Sequence, residues 1–572
     1  MDRGTLARRA GAEPLARPEG VARTRWNTPP RRPTSRRQPG TYRRSPLLRG
    51  AREAAALTGA EVASVLLPAL VAVPLRSIAK ELANRQGEPE SGARYELHLS
   101  ALAGRLLAPG GWSTAMRRAS AEPWSTGRAR PFDESTLRKS ARAMSAKGVV
   151  ALAENVLLEQ VTTAVGSADV VAFTDLYDQV YWTKKPSWSG PIGARGNRCL
   201  ACSYFGMTFV RAEQGPLLAL HVSWHKPASP LLDALVALHE DRARHQWLGA
   251  HVRLHVLDRG TQGDPALRWA WEQGIPYLTL TRGHTHWRRW SDASTQTNSG
   301  VPVFVRRDER LKDCDQTNGR AQVPQVIVFP SRPEAGEDNG QSLRYRTAAE
   351  LKPSELATLD EVYKARWPNN ENAIKALVAV GLDRNLDRTL DPGSSRRADG
   401  AVRKATREVA AIDAKLDELG DRTVREAGKE YVKQLARREK KQEKLARAEA
   451  TQAEQAAGEM GNRVDRGGEH LCKVLLLLLY NALSQLLHKS TLDAVRVLTP
   501  SRVRELLLGR SALGVLEAGS VTLYVESLPS PEDQQQLVEL VRLFNEARLR
   551  GPSGLVRIRI RDPSADSPTM RI

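Results

Sequence analysis

Cysteine is scarce. Four residues in 572 exclude a disulfide scaffold. A long hydrocarbon run is also missing. The most apolar stretch, 474–480 (VLLLLLY), falls short of the roughly 20 apolar residues of a membrane span even with its patterned flanks. Polar Asn481, Ser484 and Gln485 follow it, so a buried helix is expected. The N-terminus is Arg-rich without an apolar centre and does not read as a secretory signal. No Walker-type phosphate loop occurs, so no nucleotide cofactor is implied. These absences point to an intracellular protein with no membrane partner.

Positive charge is what the chain has in excess: 86 Lys and Arg against 65 Asp and Glu, a net +21. With 41% apolar and 26% charged residues the bulk is globular. At about 150 residues per domain the length predicts several domains. The charge needs a polyanionic partner, with nucleic acid the first candidate. It is unevenly spread. Residues 1–50 hold thirteen Arg, no Lys, three acidic residues and seven Pro, a net +10. They read as a disordered arm, either phosphate-binding or an unselected extension.

Residues 51–165 carry helical patterns at 52–84, 95–107 and 135–165, with a cap around Asp133 before 136–144. Arg138, Lys139 and Arg142 on that segment suit a DNA-binding helical domain or a solvated helix bundle. Residues 166–283 change texture. Strand patterns at 169–175, 200–212 and 216–224 precede a helix at 231–247, a strand at 252–258, a helix at 264–274 and a strand at 276–282. That order predicts a mixed α/β sheet with crossovers. Residues 284–352 read as a β-rich insertion, with strands at 301–306, 325–329 and 343–347. Helical patterning resumes in 353–400, with a candidate at 361–380 interrupted by Pro368. Residues 401–460 are charged and almost free of Gly and Pro, which fits a helical hairpin or coiled-coil arm. Its 433–447 segment is basic enough to graze DNA. Residues 461–572 close with an apolar helix at 469–488 and a β-α-β unit at 521–526, 531–549 and 555–561.

Three carboxylates stand out by position. Asp175 and Asp258 each end a predicted strand, and Glu371 lies in the helix beyond the insertion. Ligands of open α/β sheets bind outside the carboxyl ends of strands. Two carboxylates there can share a hard cation, and a third can complete a two-metal site. Any one of the three, taken alone, reads better as a cap or turn former. Their neighbours favour the site. Tyr363, Arg366, Glu371 and Lys375 fall within thirteen residues. Glu371 and Lys375 are one helical turn apart, and Arg366 can fork onto phosphate.

Phe173-Thr174-Asp175, Val256-Leu257-Asp258-Arg259-Gly260, the Tyr363…Arg366-Trp367…Glu371-Asn372…Lys375 series and Gly381-Leu382-Asp383 occur in that order. Over roughly 165–390 the chain resembles the DDE transposases of bacterial insertion sequences. The resemblance implies an RNase H-like mixed-sheet core with a β-rich insertion. It also implies Asp175, Asp258 and Glu371 as ligands of two Mg²⁺, with Mn²⁺ able to substitute. The implied reaction is strand cleavage by water and strand joining by a 3′-hydroxyl. The implied partners are double-stranded DNA, at element ends and target, and a second copy in a synaptic complex. The implied setting is the bacterial cytoplasm, at the nucleoid. Tyr363, Arg366, Lys375 and Arg259 would contact DNA, as would His286, Trp287 and Arg288, whose mix of rings and cations suits stacking and phosphate binding.

One spacing departs from much of that family, where three residues separate the Arg from the Glu. Here Trp367, Pro368, Asn369 and Asn370 make four. Either Glu371 is the ligand in a register with one extra residue, or Asn370 takes its place and the protein is an inactive DNA-binding relic. The Glu-Asn-x-x-Lys run favours Glu371. Asp178 is a rival for Asp175, past the expected strand end. A nuclease on the same core that cuts without joining is the other alternative. Cys199 and Cys202 have the spacing of a metal knuckle, but without a second pair they read as core thiols. His225 reads as a loop residue or a support of the site.

Overall fold

A computed structural model of the chain describes residues 53–106, 132–181, 193–194, 201–225, 230–257, 264–281, 295–296, 302–306, 325–328, 344–348, 353–382, 388–392, 396–420, 424–458, 460–464, 466–517, 519–551 and 554–561. The expectations placed on residues 1–50, Cys199, Asp258, Arg259, His286, Trp287 and Arg288 lie outside them.

Strand Val170–Tyr181 organises the largest sheet. Its run of β-branched and aromatic residues suits a pleated surface buried on both sides. It pairs parallel with Val252–Leu257, which pairs parallel with Tyr277–Thr281. On its other side it pairs antiparallel with Ala201–Ala212, which in turn pairs with Leu218–His225 and with the short Gly193–Ala194. Arg344–Thr347 closes the far edge, antiparallel to Tyr277–Thr281. The sheet is therefore mixed and the class α/β, as the order of sequence patterns predicts.

Alternation along the strands assigns two faces. Phe173, Leu254, Val256, Leu278 and Tyr345 pack beneath Leu356, Leu359 and Tyr363 of helix Pro353–Lys364. On the other face Val170, Ala172, Val210, Leu218 and Leu220 meet Val161 of helix Val149–Val165, Leu238 of helix Pro230–Glu240 and Leu248 of helix Arg242–His251. Gly206 lets the Pro230–Glu240 helix approach closely, since a Cβ there would lie 2.4 Å from Ala234 Cβ.

Four details correct the sequence reading. The helical pattern expected from residue 52 begins as a strand, Glu53–Leu57, because it pairs with Ala512–Glu517; a ladder outweighs the helix preference of Glu, Ala and Leu. That strand joins a five-stranded sheet with Ser520–Glu526, Arg550–Gly551 and Gly554–Arg561, across which helix Pro531–Glu546 makes the β-α-β crossover. The single helix expected at 231–247 is two, divided at Asp241, whose carboxylate caps the second by accepting from Arg244 N at 2.8 Å. Arg344–Thr347 belongs to the core sheet, whereas Thr295–Gln296, Pro302–Arg306 and Gln325–Val328 form a separate sheet. Finally, the apolar helix runs over 23 residues, Arg466–His488. Its Gly467–His488 portion is long and apolar enough to cross a membrane, and 78% of that window is buried inside the protein. Two bent helix pairs, Gly59–Leu70 with Ala72–Arg85 and Ser135–Ala146 with Val149–Val165, pass the same test only when each pair is joined.

Helix Arg466–His488 packs its leucines against helices Gly59–Leu70, Gly92–Leu106 and Val149–Val165 and against strand Leu218–His225 of the core sheet. Its Asn481 ties it to the core sheet: Oδ1 accepts from Ala219 N at 2.7 Å and Nδ2 donates to Ala219 O at 2.8 Å. Helices Arg396–Gly420 and Val424–Gly458 form the charged hairpin, closed at its base by pairing of Arg388–Pro392 with Met460–Val464.

Candidate active site

Asp175 is not at the end of its strand. The antiparallel partner Ala201–Ala212 carries the strand on to Tyr181. The parallel pairing on its other side is described as far as Leu257. The last parallel pair is Thr174 with Leu257, and Asp258 is the next residue in sequence. Asp178 also lies within the strand.

The Asp175 carboxylate is buried and held at both oxygens. Oδ1 accepts from Leu176 N at 2.8 Å and Oδ2 from Arg366 Nη1 at 2.7 Å. Both partners of this ion pair are about nine-tenths buried at the side chain. The Arg366 guanidinium lies 5.7 Å from the Tyr363 ring centroid, and that ring meets Tyr345 edge-on at 5.0 Å. Tyr363 and Arg366, expected to touch DNA, are thus packed between helix and sheet.

Arg366 opens a widened turn. Residues Trp367–Glu371 are π-helical, with Asn372 N donating to Trp367 O five residues back. A π turn accommodates one residue more than an α turn. The extra residue between Arg366 and Glu371 therefore has a structural place. Pro368 supplies a cause, since it has no N–H to donate to the carbonyl of Lys364 as an α turn would require. Asn369 fixes the turn from the other side: buried, it accepts from Arg211 Nη1 at 2.8 Å. Arg211 stands opposite Val171 in the strand pairing. Two arginine bonds therefore pin the turn to the two central strands.

Glu371 closes the π turn and precedes helix Asn372–Ala379. Its Oε1 lies 3.4 Å from Lys375 Nζ. Its Oε2 is buried without a hydrogen-bond partner. A buried carboxylate oxygen with no donor is costly unless a cation completes it. Lys375 is exposed and its ammonium sits 4.9 Å from the exposed Trp367 ring centroid. A cavity of about 730 Å³ runs along this face, lined by Val171, Phe173, Arg211, Arg253, Val362 and Asn369 among others.

Behind Asp175, on the opposite face, sits a polar chain that the sequence reading missed. Thr174 Oγ1 lies 2.7 Å from both Thr208 Oγ1 and His255 Nε2. Burial, with the charge of His239 as a smaller cause, lowers the His255 pKa to about 3. The only signal was a His in the alternating VRLHVLD strand. His225, read as a loop residue or a support, ends strand Leu218–His225 with Nε2 2.6 Å from Ser223 Oγ, and burial lowers its pKa.

Carboxylate oxygens and the orphaned Glu371 Oε2 suit a hard, oxygen-seeking cation such as Mg²⁺. Among the described residues no group of three His, Cys, Asp or Glu side chains could hold a metal; Asp258 lies outside them. No family model matches the chain, and no curated protein sequence matches it.

Proposed function

We propose that the chain is a DDE-type DNA transposase with an RNase H-like core, cleaving and joining DNA strands at insertion-sequence ends in the bacterial cytoplasm. Asp175, Asp258 and Glu371 are the proposed ligands of two Mg²⁺, which Mn²⁺ can replace. The observation that carries this reading is the π turn. It brings Arg366 onto Asp175 and ends at Glu371, beside a strand paired through Thr174 with Leu257, the residue before Asp258 in sequence.

The metal pair, when bound, would stabilise the attacking and leaving oxygens of an in-line displacement at phosphorus. The chain's own residues position and neutralise. Arg366 orients Asp175 from behind the turn. Arg211, through Asn369, sets the height of the turn over the sheet. Lys375, exposed and one turn beyond Glu371, offers its ammonium to a DNA phosphate. Arg259, His286, Trp287 and Arg288 are the further proposed DNA contacts, and a second copy of the chain is the proposed partner for pairing two DNA ends.

The test is cleavage of duplexes carrying the repeats that flank the gene, with Mg²⁺ or Mn²⁺. Asp258→Asn is expected to lower cleavage about 10³-fold or more, because metal assistance supplies several kcal/mol and each 1.36 kcal/mol is tenfold. DNA binding in chelator should persist. Wild-type cleavage by the variant would remove Asp258 from the site. Cleavage without joining to a target duplex would favour a nuclease. No cleavage by the native chain, together with no Mn²⁺ binding that depends on Asp175 and Asp258, would favour the inactive relic.

A further inference from the structure

We propose that the two-helix arm, Arg396–Gly420 with Val424–Gly458, carries a docking surface for the phosphate backbone of duplex DNA, centred on Arg403, Arg407 and Lys444. The choice of DNA as the polyanion rests on the proposed function. The surface itself rests on charge and geometry.

The arm is held along its length by charges that meet across the helices. Arg438 pairs with Asp413, and Lys441 Nζ lies 2.6 Å from Glu408 Oε2. Ala405, Ile412 and Gln434 are buried in the seam. Near Glu408 this matching of charges fails. Glu408 Oε2 also receives Lys444 Nζ at 3.6 Å. Lys404 adds its field, and Arg403 and Arg407 line the same hollow of about 510 Å³ with Gly400 and Ala411. Lys441, Lys444 and Lys404 thus share one carboxylate, and Arg403 and Arg407 stand beside it. Arg403 and Arg407 are exposed and have no ion pair among the described residues. They stand one helical turn apart, about 6 Å along the axis. Lys440, Lys444 and Arg447 follow at i, i+4 and i+7 on the facing helix, so they share a side.

Uncompensated cations held by a packed two-helix frame favour a densely charged polyanion, whose condensed counterions are released on binding. Residues lining the hollow favour DNA over a lipid surface. Among the described residues Gly400 and Ala411 are its uncharged lining, and neither could insert among acyl chains as Trp, Phe or Leu of an interfacial helix does.

The experiment measures binding of the full-length chain to a 30-base-pair duplex of arbitrary sequence, in chelator, over a series of NaCl concentrations. In the triple variant Arg403→Gln, Arg407→Gln, Lys444→Gln, the slope of log affinity against log salt should fall by about 2 to 3, at roughly 0.9 for each phosphate no longer neutralised. Affinity at moderate salt should fall about tenfold or more. Glu408→Gln should shift affinity the other way, upward, which a damaged fold would not do. A charge-matched control, Arg550→Gln, Arg557→Gln, Arg559→Gln on the exposed side of the C-terminal sheet, should leave the slope near wild type. An unchanged slope in the arm variant overturns the proposal, as does an equal fall in the control. Loss of binding to phosphatidylserine vesicles with DNA binding intact also overturns it, in favour of a membrane surface. Because no cleavage is measured, failure of the active-site reading would show separately, as Asp258→Asn cleaving normally.

Discussion

Helix Arg466–His488 and strand Val170–Tyr181 are both buried, but their polar groups are satisfied in different ways. Along the helix most inward residues are hydrocarbon and polar contacts are few: Lys473 lies 3.3 Å from Glu469 one turn away, Asn481 satisfies both backbone groups of the distant Ala219, and Gln485 Nε2 is buried without a hydrogen-bond partner among the described residues. Along the strand, polar side chains are paired with one another across the sheet and the helix above it: Asp175 with Arg366, Thr174 with Thr208 and His255, and nearby Asn369 with Arg211. Hydrocarbon burial is non-directional, so such a core tolerates repacking at constant volume. A buried polar pair is directional, and each member is a liability once the other is gone.

The sharpest way to break this contrast is at Arg366. Arg366→Ala leaves the Asp175 carboxylate buried without its cation, and is expected to lower unfolding free energy by about 3–5 kcal/mol. Adding Asp175→Asn should recover a good part of that loss, because the orphaned charge is removed. Denaturant unfolding of the two single variants and the double variant reads the coupling. Strict additivity would mean the pair is not the unit described.

The matching change in the helix is Leu477→Ala. Leu477 is fully buried, and the substitution should cost about 2–5 kcal/mol. Leu477→Met should cost less than about 1.5 kcal/mol, because volume is nearly kept. Equal losses for Ala and Met would show that this core, too, depends on exact shape.

How much of each region is legible in the sequence follows from the same contrast. The leucine run of the helix, the alternation of 252–257 and the charged arm are local patterns, and each marks an element. Segments set by distant partners mislead. Glu53–Leu57 reads as helix until Ala512–Glu517 offers it a ladder. Arg344–Thr347 reads as part of the insertion until it pairs with Tyr277–Thr281. At the site, the residue types Asp175, Arg366 and Glu371 stand out in sequence. The Arg366–Asp175 bond, the Arg211–Asn369 bond and the π turn do not, since they depend on how helix and sheet meet. The irregular spacing before Glu371 is the one trace of that turn in the sequence.

Acid should separate the regions next. Burial keeps His255 neutral in the folded state down to about pH 3, whereas unfolded it takes up a proton below its ordinary value near 6.5. The unfolded state therefore binds more protons between those limits. Stability rises with pH across that window and is lost as pH falls through it, by at most about 1.4 kcal/mol per pH unit from this one group. His221, whose pKa burial pushes well down, acts in the same direction. His255→Gln should flatten the acid limb of a stability-against-pH curve, while Leu477→Ala should lower the whole curve without changing its slope. A flattened limb in both variants would remove His255 as the source.

The smallest effect is expected where the structure divides the helix that its sequence presents as one. At that junction Asp241 accepts from Arg244 N, satisfying a donor that the start of helix Arg242–His251 would leave open. The Arg244 side chain turns back and donates from Nε to Leu238 O at 2.6 Å and from Nη2 to Ala237 O at 3.0 Å, closing carbonyls at the end of helix Pro230–Glu240. One short segment thus caps two helices that cover the sheet face behind Asp175. Asp241→Ala removes only the first of these bonds and should cost about 1 kcal/mol, with Asp241→Ser restoring most of it. Because the Arg244 bonds are untouched, the two-helix break should survive. A loss of several kcal/mol would mean that Asp241 also keeps Arg244 turned toward the carbonyls, making the cap and the closure a single unit like the Asp175–Arg366 pair.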